Sequence, residues 1–313
     1  LTRTLTETAI AGRRPVRLLP RLLSGVRFDE VLVLQGTPLI GASLSIGALT
    51  QSKVLAVAIL AAGSICLVAH VFVLNDWSGI HGDLRDPNRA PRAFTARGVS
   101  RAEMGYLAAV LLGLSLLICG LLGLTTFVLG LAIAGASALY SAPVFNVKGL
   151  PLFNSGLHLV GGVMHFLLGY ATFRGVDARG VAVGCFFALV FTAGHLMHEA
   201  RDREGDLLNG IRTNAVAFGK VRSFAAGLVL FTAAYALLVA LAAAGFLPRI
   251  LVVAAALYPV HLYASFRALR AGLTFDSLLK LQRCYRVLFA VIGLVMFATL
   301  FLADGEVLPR ILP

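Results

Sequence analysis

Charge is what this 313-residue chain has least of: only 13% of its residues are Asp, Glu, Lys or Arg, about half the fraction that covers a soluble domain. A water-facing globule is therefore excluded. Cysteine is scarce as well, with Cys66, Cys119, Cys185 and Cys284 all in or beside apolar runs and no C-x-x-C spacing. That excludes a disulfide framework and a thiolate zinc site, and the four read as small buried hydrophobes. Acids are rarer than bases, 15 against 27, giving a net charge of +12. The basic residues are scattered between apolar stretches instead of gathered on one polar module, so they point to membrane orientation and away from nucleic acid.

What remains is apolar. Hydrophobic residues make up 58% of the chain and the mean hydropathy is +0.87, as expected of an all-α polytopic membrane protein. A spanning helix needs about 20 mostly apolar residues. Windows of that kind lie at 31–49, 54–74, 105–123, 125–141, 151–173, 180–198, 223–246, 249–266 and 284–303, which predicts nine transmembrane helices in one bundle. Nine crossings divide the connections into two sets, and the set with the N-terminus holds 22 of the 27 Lys and Arg residues, leaving Lys53, Arg174, Arg179, Arg249 and Arg310 for the other. The positive-inside rule then places the N-terminus in the cytoplasm, and an integral, bacterial inner-membrane location is expected. Residues 1–28 carry Arg3, Arg13, Arg14, Arg17, Arg21 and Arg27 but no apolar core of a secretory signal, and read as a basic amphipathic segment on an anionic leaflet.

Seven of the fifteen acids fall in two windows, Asn75 to Arg92 after the second span and His198 to Asp206 after the sixth. Helical geometry puts Asp76 and Asp83 two turns apart on one face, and Asp202 one turn from Asp206. Carboxylates at that spacing, with the amide of Asn75, are hard oxygen ligands. They suit Mg2+, which takes one or two carboxylates and fills its shell with water and phosphate oxygens. Arg85, Arg89 and Arg92 follow the first cluster, Arg201, Arg203 and Arg212 surround the second, and Lys148 lies between, a set suited to phosphate. Any single one of these cations could equally be a solvated loop charge. A rival metal reading is the stripe His195, His198, Glu199 and Asp202, which could hold iron or zinc. His70, His158, His165 and His261 stand alone in apolar spans and are expected to be hydrogen-bonded bundle residues.

These residues resemble the intramembrane prenyltransferases of the UbiA superfamily. Asn75, Asp76 and Asp83 are similar to its N-D-x-x-D-x-x-x-D motif, and Asp202 with Asp206 to its D-x-x-x-D motif. Asn88-Arg89-Ala90-Pro91-Arg92 resembles its N-R-P-x-R-P stretch, Tyr140-Ser141-Ala142-Pro143 with Lys148 its Tyr-Ser-x-Pro segment, and Glu204-Gly205-Asp206 to Arg212-Thr213 its E-G-D-x-x-x-G-x-R-T run. The middle Asp of the first motif is Gly79 here, so that either Asp86, one turn beyond Asp83, substitutes for it as a ligand or one magnesium ion is held more weakly.

The resemblance implies a single domain over 29–313, two Asp-rich motifs on cytoplasmic loops, and Mg2+-dependent transfer of a prenyl group from a polyprenyl diphosphate to a small, aromatic acceptor. Asn75, Asp76, Asp83, Asp202 and Asp206 would hold metal, the four acids being catalytic, while Arg89, Arg92, Lys148, Arg212 and Tyr140 would bind the diphosphate. Phe72, Trp77, Tyr140 and Phe145 could face an allylic cation. The alternatives are a membrane terpene cyclase of the same superfamily, needing no acceptor, and a non-catalytic lipid-binding or transport descendant.

Overall fold

The computed structural model describes residues 18–145 and 147–303, so Arg3, Arg13, Arg14, Arg17 and Arg310 lie outside the described residues. Within these the chain forms twelve α-helices: α1 (Leu18–Leu23), α2 (Phe28–Leu34), α3 (Gly36–Ser45), α4 (Gln51–Asp83), α5 (Arg101–Leu122), α6 (Leu124–Ser141), α7 (Phe153–Tyr170), α8 (Ala178–Leu208), α9 (Asn214–Phe218), α10 (Lys220–Ala243), α11 (Tyr258–Arg270) and α12 (Phe275–Ala303). No strand occurs among the described residues.

Seven helical stretches are long and apolar enough to cross a membrane: α4, α5, α6, α8, α10, the 3-10 and α-helical run Arg249–Arg270, and α12. The chain is an integral multi-pass membrane protein. Two of the nine expected spans depart from the pattern. The 31–49 window is split into α2 and α3 at Gln35, and the 151–173 window becomes α7, an 18-residue helix whose apolarity is diluted by Asn154, His158 and His165. These two windows pack against each other. Gly41 of α3 sits against the backbone of Phe166 and Tyr170, and Gly169 of α7 against the carbonyl of Pro38, so closely that a Cβ at either glycine would overlap main chain. Such intimate backbone contact is what small residues permit at a helix–helix interface.

Local signals set the helix starts. Thr50 Oγ1 accepts from the Lys53 amide at 3.3 Å at the head of α4, Ser100 and Glu103 form a reciprocal capping box on α5, and Asp177 accepts from the Gly180 amide at 2.8 Å at the head of α8, each satisfying a donor that the helix leaves open. The 33-residue α4 is about 50 Å long at 1.5 Å per residue, against a hydrocarbon core of about 30 Å, so its last turns extend into the polar zone. The 31-residue α8 does the same. The acidic motifs expected on loops are thus in the terminal turns of these two helices, because nothing breaks helical register before Pro87 in one and Asn209-Gly210 in the other.

α7 and α8 run antiparallel, with Asn154 hydrogen-bonded to Glu199 at one end and Tyr170 to Asp177 at the other. The hydrophobic core between them joins Ile40, Phe166, Tyr170, Val183 and Phe186 to Tyr235, Leu238 and Ile292 of α10 and α12. A separate core packs Val68, Val73 and Ile80 of α4 on Met104 and Ala108 of α5. The cysteines are free.

Candidate functional site at the joined ends of α4 and α8

The C-terminal ends of α4 and α8 meet. Asn209 Nδ2 donates to the Gly82 carbonyl at 3.1 Å, and Gly205 lies so close to the loop after α4 that a Cβ there would come within 2.2 Å of Asp86 Oδ2. Both glycines are helical, and what each supplies is the missing side chain. In the loop, Asp86 Oδ1 accepts from the Asn88 amide at 2.9 Å and its carbonyl from the Arg89 and Ala90 amides. This compact turn carries Arg89 back across the gap.

Arg89 is the hub. Its Nη1 lies 3.3 Å from Asp83 Oδ1, Nε 3.4 Å from Asp86 Oδ2, and Nη2 2.8 Å from Asp202 Oδ2 and 3.8 Å from Asp206 Oδ1. One guanidinium therefore spans carboxylates of both motifs. Burial works against the cation, but Asp202, Asp206 and Asp83 outweigh it and hold the Arg89 pKa above the usual arginine value. Asp202 is gripped from below by Arg201, with Nε at 2.7 Å and Nη2 at 2.9 Å, and Arg201 is steadied by Gln282 of α12. Asp206 is buried, and its Oδ1 has no hydrogen-bond partner. Lys148, half-buried in the turn Val147–Gly149, lies within electrostatic reach of it. A polar cleft of about 430 Å3 opens beside these groups, lined in part by Asp86, Asn88, Arg201, Asp202 and Lys220.

Other expected residues stand apart. Asp76 does not contact the hub: Arg27, the last arginine before α2, donates to it from Nε at 2.9 Å and again from Nη2. Burial opposes the Arg27 charge, yet Asp76 keeps its pKa raised. Asn75 is half-buried, with its carbonyl accepting from Ser78. Arg92 and Arg212 are exposed and form no ion pair among the described residues. Of the four aromatics, Phe72 lies beneath Arg27 at 5.9 Å and Trp77 beneath Arg101 at 4.9 Å, Phe145 is exposed, and Tyr140 is half-buried against the His158 and His195 rings. Gly79 leaves open space, with Asp83 Oδ2 the nearest atom at 3.8 Å from a Cβ built there.

The histidine stripe does not converge. Among the described residues no three His, Cys, Asp or Glu side chains are grouped to hold a metal, and His198 turns to the Tyr285 hydroxyl at 3.5 Å while His195 turns to Glu199 at 3.2 Å. His70 and His165 are hydrogen-bonded, to the Ala108 carbonyl and Ser64. His261 differs, packing among aromatic rings with neither nitrogen hydrogen-bonded. His158 is not isolated, since its ring stacks on that of His195.

Sequence reasoning missed Arg27, Gly82, Gly205 as a contact point, Asn209, Asn154 and Asn214. The E-G-D run was a signal for Gly205; nothing local marks Arg27 or Asn154 as partners of acids 49 and 45 residues away.

The model of the UbiA prenyltransferase family matches residues 36–272. Among curated proteins none matches the sequence. Solved structures that share the fold include a UbiA homolog from Archaeoglobus fulgidus bound to GPP and Mg2+, at 16% identity and a TM-score of 0.70, covering 91% of this chain and 99% of that one. A UbiA homolog from Aeropyrum pernix K1 in its apo form is 20% identical with a TM-score of 0.69, covering 86% and 98%. Digeranylgeranylglyceryl phosphate synthase is 18% identical with a TM-score of 0.67, covering 90% and 98%.

Proposed function

Because the chain belongs to the UbiA prenyltransferase family, we propose that it moves a prenyl group from a polyprenyl diphosphate to a small aromatic acceptor, with Mg2+, at the joined ends of α4 and α8. The observation that carries this is Arg89 bridging Asp83 and Asp86 on one side to Asp202 and Asp206 on the other. Acids of two helices 119 residues apart converge within the span of one guanidinium, a size that also suits a diphosphate and its counter-ions.

The residues fit the metal. No preformed cage of three ligands exists among the described residues, but Mg2+ does not need one, since it is held by one or two carboxylates with the substrate's own oxygens. Asp206 Oδ1, buried without a hydrogen-bond partner, is an acceptor whose desolvation a cation offsets. Asp83, Asp202 and Asp206 would hold the ion, with Asp86 beside them and Asn75 and Asp76 about two turns back along α4. Bound there, Mg2+ supplies positive charge against the leaving diphosphate. Arg89 and Lys148 supply the rest from this chain, Arg89 through paired N–H donors and Lys148 as a point charge. The neighbouring Archaeoglobus fulgidus homolog carries GPP or DMAPP with Mg2+, which supports the same ligands here. The excess of basic residues on the connections of this side supports a cytoplasmic placing of the site and the N-terminus.

The test is a purified preparation in lipid nanodiscs, given a ladder of radiolabelled prenyl diphosphates, a panel of phenolic acids and quinone precursors, and Mg2+ or EDTA. Prenylated product that requires both acceptor and metal is expected. A cyclic hydrocarbon formed without acceptor would replace transfer by cyclisation, and no donor consumption at all would overturn both.

A further inference from the structure

Behind the charged mouth lies a second cluster that the diphosphate chemistry leaves unused. Tyr140 of α6, Asn154 and His158 of α7, His195 and Glu199 of α8 and Asn214 of α9 meet in the interior, where His195, Glu199, Asn154 and Asn214 are 7%, 4%, 0% and 2% exposed. Glu199 is held from two elements. Asn154 Nδ2 donates to its Oε1 at 2.7 Å, while Asn214 donates to Oε2 from Nδ2 at 2.8 Å and from its backbone N at 3.1 Å.

As a joint between α7, α8 and α9 the asparagines and the carboxylate would suffice. Two further features exceed that role. The first is His195, whose Nε2 lies 3.2 Å from Glu199 Oε1 without hydrogen-bond alignment, so that a fixed carboxylate faces the imidazole at ion-pair distance and would stabilise it once protonated. The second is a set of flat surfaces. His195 stacks on His158 with ring centres 3.6 Å apart and 12° between planes, and Tyr140 stands edge-on to the two at 6.2 and 5.0 Å. His195 Nδ1 makes no hydrogen bond among the described residues, whereas His158 Nδ1 is committed to the Asn154 carbonyl at 2.8 Å. Tyr140 lies within electrostatic reach of Glu199, Asp206, Arg89 and Asp202 alike, so the cluster adjoins the charged mouth.

We propose that His195 takes the proton released in prenyl transfer, with Glu199 as its positioning residue and the His158 and Tyr140 rings forming the walls of a pocket for a planar hydroxylated aromatic acceptor. This rests on the transferase reading above. In the step, the donor C1–O bond breaks and its electron pair leaves with the diphosphate. A π pair of the acceptor ring forms the new bond to C1. The hydrogen on the attacked ring carbon passes as a proton to His195 Nδ1, its C–H pair restoring the aromatic ring, and the Glu199 carboxylate stabilises the imidazolium.

The experiment uses the full chain with Mg2+, geranyl diphosphate and a phenolic acid that the wild type prenylates, the ring position attacked carrying either hydrogen or deuterium. Diphosphate release and prenylated product are counted separately. For His195→Gln, product formation is expected to fall about 100-fold. Diphosphate release should fall less, so that release per product rises from about one to about ten or more and the excess appears as prenyl alcohol. Slowed proton removal should also reveal a deuterium isotope effect of about two or more that the wild type lacks. Glu199→Gln should show the same signature more weakly, with an unaltered KM for the donor. Release and product falling in equal proportion, or neither falling, would overturn the inference. So would His195→Gln and His195→Asn both losing the wild-type thermal midpoint, which would mark a structural joint. A wild type that releases diphosphate yet prenylates no phenolic acid sinks this inference alone, whereas a wild type that releases none sinks the transferase reading with it.

Discussion

The ends of α4 and α8 carry the same kinds of residue and are prepared in different ways. On α8, Asp202 is clamped by its neighbour Arg201, itself tied to α12, and Asp206 one turn on is buried, its Oδ1 without a hydrogen bond and 3.8 Å from Arg89 Nη2. On α4, Asp76 is engaged by Arg27 from outside the helix, Gly79 offers no carboxylate, and Asp83 reaches the centre only through Arg89. Acids of both halves are paired with arginine, Asp202 with Arg201 and Arg89 and Asp76 with Arg27, but α8 also carries in Asp206 a buried carboxylate oxygen without a hydrogen bond. On the proposed reading, a metal or diphosphate would find its first ligand on α8, and the α4 acids would join only by releasing their arginines.

That difference is broken or kept most clearly by removing one acid at a time. Asp206→Asn should lower kcat by about 1000-fold, the loss typical of deleting a group aimed at developing charge or its counter-ion. Asp76→Asn should cost about 10-fold, since Arg27 already balances that carboxylate and its loss sets a cation free near the site. Steady-state rates at saturating Mg2+ measure both, and equal losses would show that the two helix ends contribute alike.

How much of this could be read before the structure depended on whether the signal was local. The membrane class, the run of helices and the pairing of acidic ends followed from apolar length and from Asp spacing, because a helix fixes which residues share a face. Two of the nine windows are not confirmed as spans by length and apolarity, one because it is split at Gln35 and the other because Asn154, His158 and His165 dilute α7, and a hydropathy window does not register that the two pack together through Gly41 and Gly169. Within the site, Asp83, Asp202, Asp206 and Arg89 were legible and came together. Arg92 and Arg212 matched the same motifs yet are exposed, since motif spacing says nothing of which way a loop turns. Arg27 and Asn154 were invisible because their partners are 49 and 45 residues distant, and Asn214 because its partner Glu199, 15 residues back, lies on another helix.

A smaller effect sharpens the comparison at the contact between the halves. Gly205→Ala places a Cβ 2.2 Å from Asp86 Oδ2, so the loop holding Arg89 must shift, at a cost of about 1–3 kcal/mol for overpacking. A fall in thermal midpoint and about a 10-fold loss of activity are expected. Asp86→Ala removes the obstructing carboxylate, so the double variant should recover the midpoint and more activity than the sum of the single losses allows. Simple additivity would mean that the loop is not held by this contact.

The mildest change tests whether the α4 half is weaker for want of one acid. Gly79→Asp meets only Asp83 Oδ2 at 3.8 Å, so sterics do not oppose it. Replacing a mid-helix glycine gains a few tenths of a kcal/mol in helix propensity, and the like charge one turn from Asp83 costs about as much, so stability without metal should barely move. Two carboxylates on one face would instead raise the negative field at the α4 end, where a divalent ion competes with Arg89 for Asp83. The Mg2+ concentration giving half the maximal rate should therefore fall about threefold, a difference of well under 1 kcal/mol, with the thermal midpoint unchanged in EDTA and raised in Mg2+. If the metal requirement stays where it was while Asp206→Asn remains crippling, the α8 end alone sets metal affinity, and the asymmetry between the two helices is deeper than one missing side chain.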